Sequence, residues 1–294
     1  MTSKPAAVVV FGSLHYDIVV KGPHRPIKGE TVAGSAWYPK CGGKGGNQAV
    51  SAAKNGVATA MIGAVADDEF GHSLSNNLKK HSVDSRYVRT ISGEASGMSV
   101  AIFDAEGDYG AVFVSGTNLQ LGPEDVAAAA EHFHADAVLV LQNEVPDEAN
   151  LAAAAAMKKA GGKVVLNAAP ARAPSEELTA LVDVVVVNAV EAEALAKLPN
   201  VESLDTALAA ARILSKQYPV AIVTAGGDGV AFVERDSREC VTPAIKIKLV
   251  STHGAGDEFV GVLAAQLSRG SSIEHAVAKA NEAAAILVST PNIR

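Results

Sequence analysis

Short runs of β-branched residues alternate with alanine-rich, helix-patterned segments along most of this chain, and that alternation restricts its fold most. The runs fall at residues 7–11, 59–65, 137–141, 163–167, 183–187 and 220–224. They are apolar on both faces, as strands must be when helices cover a sheet from both sides. The intervening segments, such as 68–80 (Phe70, Leu74, Leu78), 147–160 and 203–217 (Leu204, Leu208, Ala211, Leu214), repeat their apolar residues at helical spacing. Gly161-Gly162 and Gly56 supply stops. Such an order predicts an α/β fold with a mostly parallel central sheet and right-handed crossovers.

Two regions break the alternation. Residues 17–20 and 31–38 read as extended pieces, and 99–103 and 110–114 flank Asp104-Ala105-Glu106-Gly107 as a β-hairpin would. Together they predict a small β-sheet, a lid formed by about 15–41 and 97–115, on a single domain spanning 1–294. With 294 residues, 48% of them apolar, the chain can bury a large core. Its net charge of -7 and lack of a basic cluster argue against nucleic acid and anionic membranes as partners. Met1 to Ala7 lacks a signal-peptide core, and no apolar run is long enough to span a bilayer, so a cytoplasmic protein is expected. Cys41 and Cys240 have no metal-ligand spacing and imply no disulfide framework.

The chemistry concentrates in glycine-rich turns. Ser251-Thr252-His253-Gly254-Ala255-Gly256-Asp257-Glu258-Phe259 lies between an expected strand at 245–250 and an expected helix from Val260 to Leu267. The free amides at such a helix start attract an anion. A carboxylate there, Asp257, either accepts a proton in phosphoryl transfer or simply caps the helix. Gly42-Gly43-Lys44-Gly45-Gly46-Asn47-Gln48 offers close backbone approach, a cation and an amide, or serves as a connector; it is neither a Walker loop nor a dinucleotide fingerprint. Asn188 and Glu191, one helical turn apart after a strand, suit either a hydrated Mg²⁺ or an N-cap with its acid. Thr224-Ala225-Gly226-Gly227-Asp228-Gly229 can wall a nucleotide site or form a hairpin turn, and Glu144 can hold a sugar hydroxyl or be solvated. Asp17, Glu144, Asn188, Thr224 and Gly254 all follow expected strands, which directs them to one edge of the sheet.

With these residues in place, the chain resembles the ribokinase (PfkB) family of carbohydrate kinases from Val8 to about Val288. The resemblance rests on Gly42 to Ala49 and on Gly254-Ala255-Gly256-Asp257. It implies the ribokinase-like fold and an ATP- and Mg²⁺-dependent kinase that phosphorylates a primary hydroxyl of ribose or a related pentose. Asp257 would be the base, and Gly254, Ala255 and Gly256 the anion hole. Asp17, Gly43, Lys44, Asn47 and Glu144 would bind the sugar, while Asn188 and Glu191 would organise Mg²⁺ and phosphates through water. Thr224, Gly226 and Gly229 would line the nucleotide site, with Asn281 near the adenine. A homodimer through the lid is implied in the same way.

The chain also departs from the family pattern. Ser251-Thr252-His253 stands where Asp-Thr-Thr is usual, and the chain ends at Arg294, which puts activation by a monovalent cation in question. His253 can replace that ion with an imidazolium or pack locally. His15 occupies the place of an Asn, beside Tyr16, and Glu258 sets a second carboxylate next to Asp257. A nucleoside kinase, with Tyr16, Trp37 and Tyr38 stacking on a base, is the alternative within this chemistry. A non-catalytic sugar- or nucleotide-binding protein is the alternative outside it. A nicotinamide dehydrogenase is disfavoured, since Gly12-Ser13-Leu14 follows the first strand instead of a dinucleotide fingerprint.

Overall fold

The computed structural model describes residues 5–106, 109–250 and 254–290. Ser251, Thr252 and His253 lie outside the described residues. A nine-stranded sheet forms the centre, built from β1 (Val8–Phe11), β4 (Thr59–Ala66), β5 (Asp84–Ile91), β8 (Val138–Gln142), β9 (Lys163–Asn167), β10 (Val184–Asn188), β11 (Val220–Thr224), β12 (Gly229–Glu234) and β13 (Arg238–Pro243). Its order is β13-β12-β11-β10-β9-β8-β1-β4-β5. All neighbours pair in parallel except β11 with β12 and β12 with β13, which form antiparallel hairpins at one edge.

Helices cover both faces, which explains why β1, β4 and β8 are buried along their whole length. One face packs on α3 (Pro123–Ala128), α4 (Asp147–Lys159), α5 (Glu176–Leu181), α6 (Ala189–Ala196) and α7 (Leu204–Leu214). The other packs on α1 (Lys44–Lys54), α2 (Glu69–Lys80), α8 (Ala255–Ser268) and α9 (Ile273–Ser289). Alternate residues of one strand feed the two cores: Val9 and Phe11 go to the first, Val8 and Val10 to the second.

The expected small sheet is present. It comprises β2 (His15–Lys21), β3 (Ala36–Gly42), β6 (Met98–Phe103) and β7 (Tyr109–Val114) in the order β3-β2-β6-β7. β3 starts later than expected and runs on to Gly42, so residues 31–35 stay irregular. One expectation fails. Residues 245–250 form no strand, although Ile245, Ile247 and Leu249 alternate with lysines. Their apolar side chains are 38–59% exposed, and among the described residues the segment pairs with no strand; at its end the Val250 N–H donates instead to the Val288 carbonyl of α9 at 2.8 Å. Among the described residues, no helix is long and apolar enough to cross a membrane.

Candidate active site

The excursion from β1 through β2 and β3 into α1 brings polar side chains to the ends of the parallel strands. After β1, the chain turns through Gly12-Ser13-Leu14 into β2, which places His15 and Asp17 on the same side of the small sheet. β3 returns beside β2 with Asp17 opposite Lys40 and His15 opposite Gly42. The chain then enters α1 at Gly43, whose φ of 81° favours glycine. Gly42 has a steric reason of its own: a Cβ there would lie 2.0 Å from Asp17 Oδ2.

Glu144, just past β8, organises this corner. Its Oε2 accepts hydrogen bonds from the Ser13 hydroxyl and from the Lys44 backbone N–H at 3.0 Å. The Lys44 ammonium lies 3.8 Å from Oε1, and His15 Nδ1 lies 3.7 Å from Oε2. Burial lowers the pKa of His15, which opposes the pull of the two nearby acids. Asp17 accepts a hydrogen bond from the Ser99 hydroxyl at 2.5 Å, and burial raises its pKa. Lys40 acts on both Asp17 and Asp257 from β3, and its own pKa is lowered by burial.

Asp257 sits in the first turn of α8, after Gly254 with a φ of 85° and no side-chain cap. Its two oxygens are held from α1. Asn47 Nδ2 donates to Oδ2 at 2.8 Å, and Gln48 Nε2 donates to Oδ1 at 3.0 Å. Burial pushes the carboxyl up to about 6, against the opposing influence of Lys44 and of these two amides. The amides of Ala255, Gly256 and Asp257 have no intrahelical acceptor by position, so the helix start keeps the positive end expected of an anion site.

A cavity of about 690 Å³ joins these groups. Asp17, Gly43, Lys44, Asn47, Glu144, Asn188, Glu191, Thr224, Gly254, Gly256 and Asp257 all line it. Asn188 caps α6: its Oδ1 accepts the Glu191 N–H at 2.9 Å, while the Glu191 carboxylate accepts from the Asn188 N–H and side-chain amide. Glu191 still faces the cavity, and burial raises its pKa. Ala255 belongs to the same helix start without lining the cavity.

Gly226, Gly229 and Asn281 do not line the cavity. The turn holding Gly226 and Gly229 joins the β11–β12 hairpin, and a Cβ at Gly229 would lie 2.1 Å from the Thr242 carbonyl oxygen. Asn281 Nδ2 donates to the Pro243 carbonyl at 3.1 Å, which ties α9 to the end of β13. Tyr16, Trp37 and Tyr38 do not line it either. Tyr16 stacks on Phe70 with centroids 4.5 Å apart, and Trp37 is 66% exposed.

The model of the pfkB family of carbohydrate kinases matches residues 5–294 of this sequence. The chain belongs to that family. As a pfkB carbohydrate kinase it is a phosphotransferase with an alcohol acceptor, and its fold is ribokinase-like. It is 32% identical to the ribokinase of Haemophilus influenzae, covering 96% of this chain and 92% of that one. It is 36% identical to the ribokinase of Lactococcus lactis, over 92% and 86% of the two chains. The deoxyribokinase of Salmonella typhimurium matches at 35% over 93% and 89%. Among solved structures, the ribokinase of Thermotoga maritima superposes with a TM-score of 0.84 at 32% identity, covering 97% and 93%. The ribokinase of Arabidopsis thaliana in complex with ribose and ATP gives 0.88 at 27%, covering 98% and 94% of the two chains.

The sequence motifs assign no role to five residues of this kinase site, Ser13, Lys40, Gln48, Ser99 and Gln142, although Ser13 and Gln48 stand inside the stretches 12–14 and 42–48. Each acquires a role only from a partner far along the chain, such as Ser13 with Glu144 or Ser99 with Asp17. Gln48 has one visible signal, its place directly after Asn47 in the glycine-rich stretch.

Proposed function

We propose that this chain transfers the γ-phosphate of ATP to a primary hydroxyl of ribose or a closely related pentose. The observation that carries this reading is Asp257, an amide-held carboxylate at an uncapped helix start, in one cavity with Asp17 and Glu144. Relatives named ribokinase and deoxyribokinase, at 32–36% identity over most of their length, support the pentose.

In this reading Asp257 takes the proton of the attacking hydroxyl. A carboxyl with a pKa of about 6 is ionised at neutral pH and is still a stronger base than an ordinary aspartate. Asp17 and Glu144 accept hydrogen bonds from the other sugar hydroxyls, and Lys44 offsets the negative charge of the two acids beside it. The amides of Gly254, Ala255 and Gly256 face the charge that grows on the transferred phosphoryl group. Asn188 and Thr224 flank the phosphates, and Gly226, Gly229 and Asn281 belong to the outer rim on the nucleotide side. The small sheet acts as a lid that excludes water.

Mg²⁺ fits this site through water. No group of three or more acid, histidine or cysteine side chains forms a cage among the described residues. Glu191, however, faces the cavity with lone pairs left over from the Asn188 cap, which suits a hydrated ion. When bound, the ion supplies charge neutralisation for the phosphate oxygens.

The test is ATP consumption over a panel of ribose, 2-deoxyribose, other free sugars and nucleosides, with Asp257→Asn beside the wild type. Turnover on ribose or deoxyribose, abolished by Asp257→Asn while sugar binding persists, is expected. Preference for a nucleoside, or unchanged turnover in Asp257→Asn, overturns the reading.

A further inference from the structure

The base is held by more than its immediate neighbours. Gln48 and Gln142 are both fully buried, and neither lines the cavity. Gln48 Nε2 donates to Asp257 Oδ1 at 3.0 Å, and Gln48 Oε1 accepts from Gln142 Nε2 at 2.8 Å. The backbone carbonyl of Gln142 in turn accepts from Asn150 Nδ2 at 2.8 Å, which anchors the row to α4. A side-chain amide has a donor end and an acceptor end, whereas a carboxylate only accepts. Gln48 must therefore turn its NH₂ toward Asp257, and its oxygen then needs a donor. Gln142 is that donor. Reversing Gln142 would set two amide oxygens against each other, and reversing Gln48 would set an oxygen against the carboxylate.

Two glycines make room for the row. A Cβ on Gly12 would lie 1.8 Å from Gln142 Oε1. A Cβ on Gly261, one turn beyond Asp257, would lie 2.7 Å from the Gln48 carbonyl oxygen and 2.4 Å from Ser51 Cβ. The close approach of α1 and α8 is thus a condition for Gln48 to reach the base. Gln142 Oε1 itself is buried and has no partner among the described residues, a cost the structure accepts at this place.

We propose that Gln142 and Gln48 form a directional amide relay that orients Asp257 and favours its ionised form. Both are positioning residues, and the inference rests on Asp257 being the base. A hydrogen bond to the charged form holds a carboxyl pKa down, so losing the relay raises it. The other charged groups around Asp257 are Lys44 of α1, Lys40 of β3, Glu144 after β8, Glu191 of α6 and Glu258 on its own helix. None of them is altered by changing Gln48 or Gln142.

The experiment compares Gln48→Met, Gln142→Met and the double variant with wild type and Asp257→Asn, measuring kcat and sugar KM across pH. Gln48→Met is expected to lower kcat roughly 10- to 100-fold and Gln142→Met about 5- to 10-fold, with KM within about twofold. The acid limb of the kcat profile moves upward in both, by up to about one pH unit, and activity recovers in part at high pH. The double variant falls no further than Gln48→Met, because both act along one path. A folded Gln142→Met with wild-type kcat and an unmoved acid limb overturns the relay while leaving the base standing. Loss of the base assignment shows separately, as unchanged turnover in Asp257→Asn. If Gln142→Met does not fold, Gln142→Asn carries the test: it keeps the polar end but is one methylene too short, and the acid limb must move the same way.

Discussion

Lys44 acts on three carboxylates at once, Glu144 at 3.8 Å and, through the cavity, Asp257 and Glu191. Burial drives the pKa of the latter two upward, and the ammonium works against it. For Asp257 burial wins, which leaves the carboxyl at about 6. The kinetic sign follows directly. A base must be ionised, so kcat/KM should be flat near neutral pH and fall as pH drops through about 6, rather than near 4 as for an ordinary aspartate. A pH–rate profile of the wild type checks this, and an acid limb near 4 would remove the burial argument. Several of these groups are legible in the sequence because each ends or begins a motif: Asp257 after Gly254-Ala255-Gly256, Lys44 among glycines, Asn188 after a valine run. Gln142, Ser99 and Lys40 are not, since a polar residue in a strand has no meaning until its partner in the fold is known, Gln48 on α1 for Gln142 and Asp17 across the small sheet for the other two. Lys40 opposes Asp17 only through the β2–β3 register.

Elements decide how closely those residues can approach. α1 and α8 carry Gln48 and Asp257, and they meet where Gly261 faces Ser51. Gly261→Ala would force a methyl group 2.4 Å from Ser51 Cβ, too close without moving one helix. Overpacking of this kind costs about 1–3 kcal/mol. The expected outcome is a lower Tm by several degrees together with a lower kcat, read by thermal denaturation and steady-state rates. A wild-type Tm and kcat would show that the helices can shift freely. Periodicity reveals the buried parallel strands well, because burial on both faces leaves six apolar runs such as Val184–Asn188. It does not reveal β5, whose sequence Asp84–Ile91 mixes charge and apolar residues at the sheet edge, nor the antiparallel β12 and β13. The opposite error occurs at 245–250, where strand-like alternation pairs with no strand among the described residues. A strand is a property of two segments, and a one-segment pattern reads it only when burial is symmetrical.

At the scale of the whole molecule, the small sheet has two unlike faces. Its cavity side carries His15, Asp17, Ser99 and Phe113. Its other side carries Ile18, Val20, Val100, Ile102, Val112, Val114 and Trp37, which adjoin one another through the β3-β2-β6-β7 register. Val112 is 72% exposed, Val114 54% and Trp37 66%. A contiguous apolar face of this kind marks an interaction surface, and a second copy of the same sheet suits it, because the side chains that form it carry no charge. We therefore expect a homodimer built on the small sheets, and Val112→Glu should dissociate it by burying two unpaired charges at the contact. Sedimentation velocity at micromolar concentration reads the outcome: a wild type that sediments as a monomer ends the proposal. The kinetic consequence separates this surface from the reacting groups. α8 and α1 pack on the nine-stranded sheet, so a dissociated variant keeps Asp257 and its amides in place. The small sheet holds Asp17 and Ser99, and without its support those groups order less well around the sugar. Sugar KM should therefore rise more than kcat falls, whereas a defect reaching Asp257 would show the reverse.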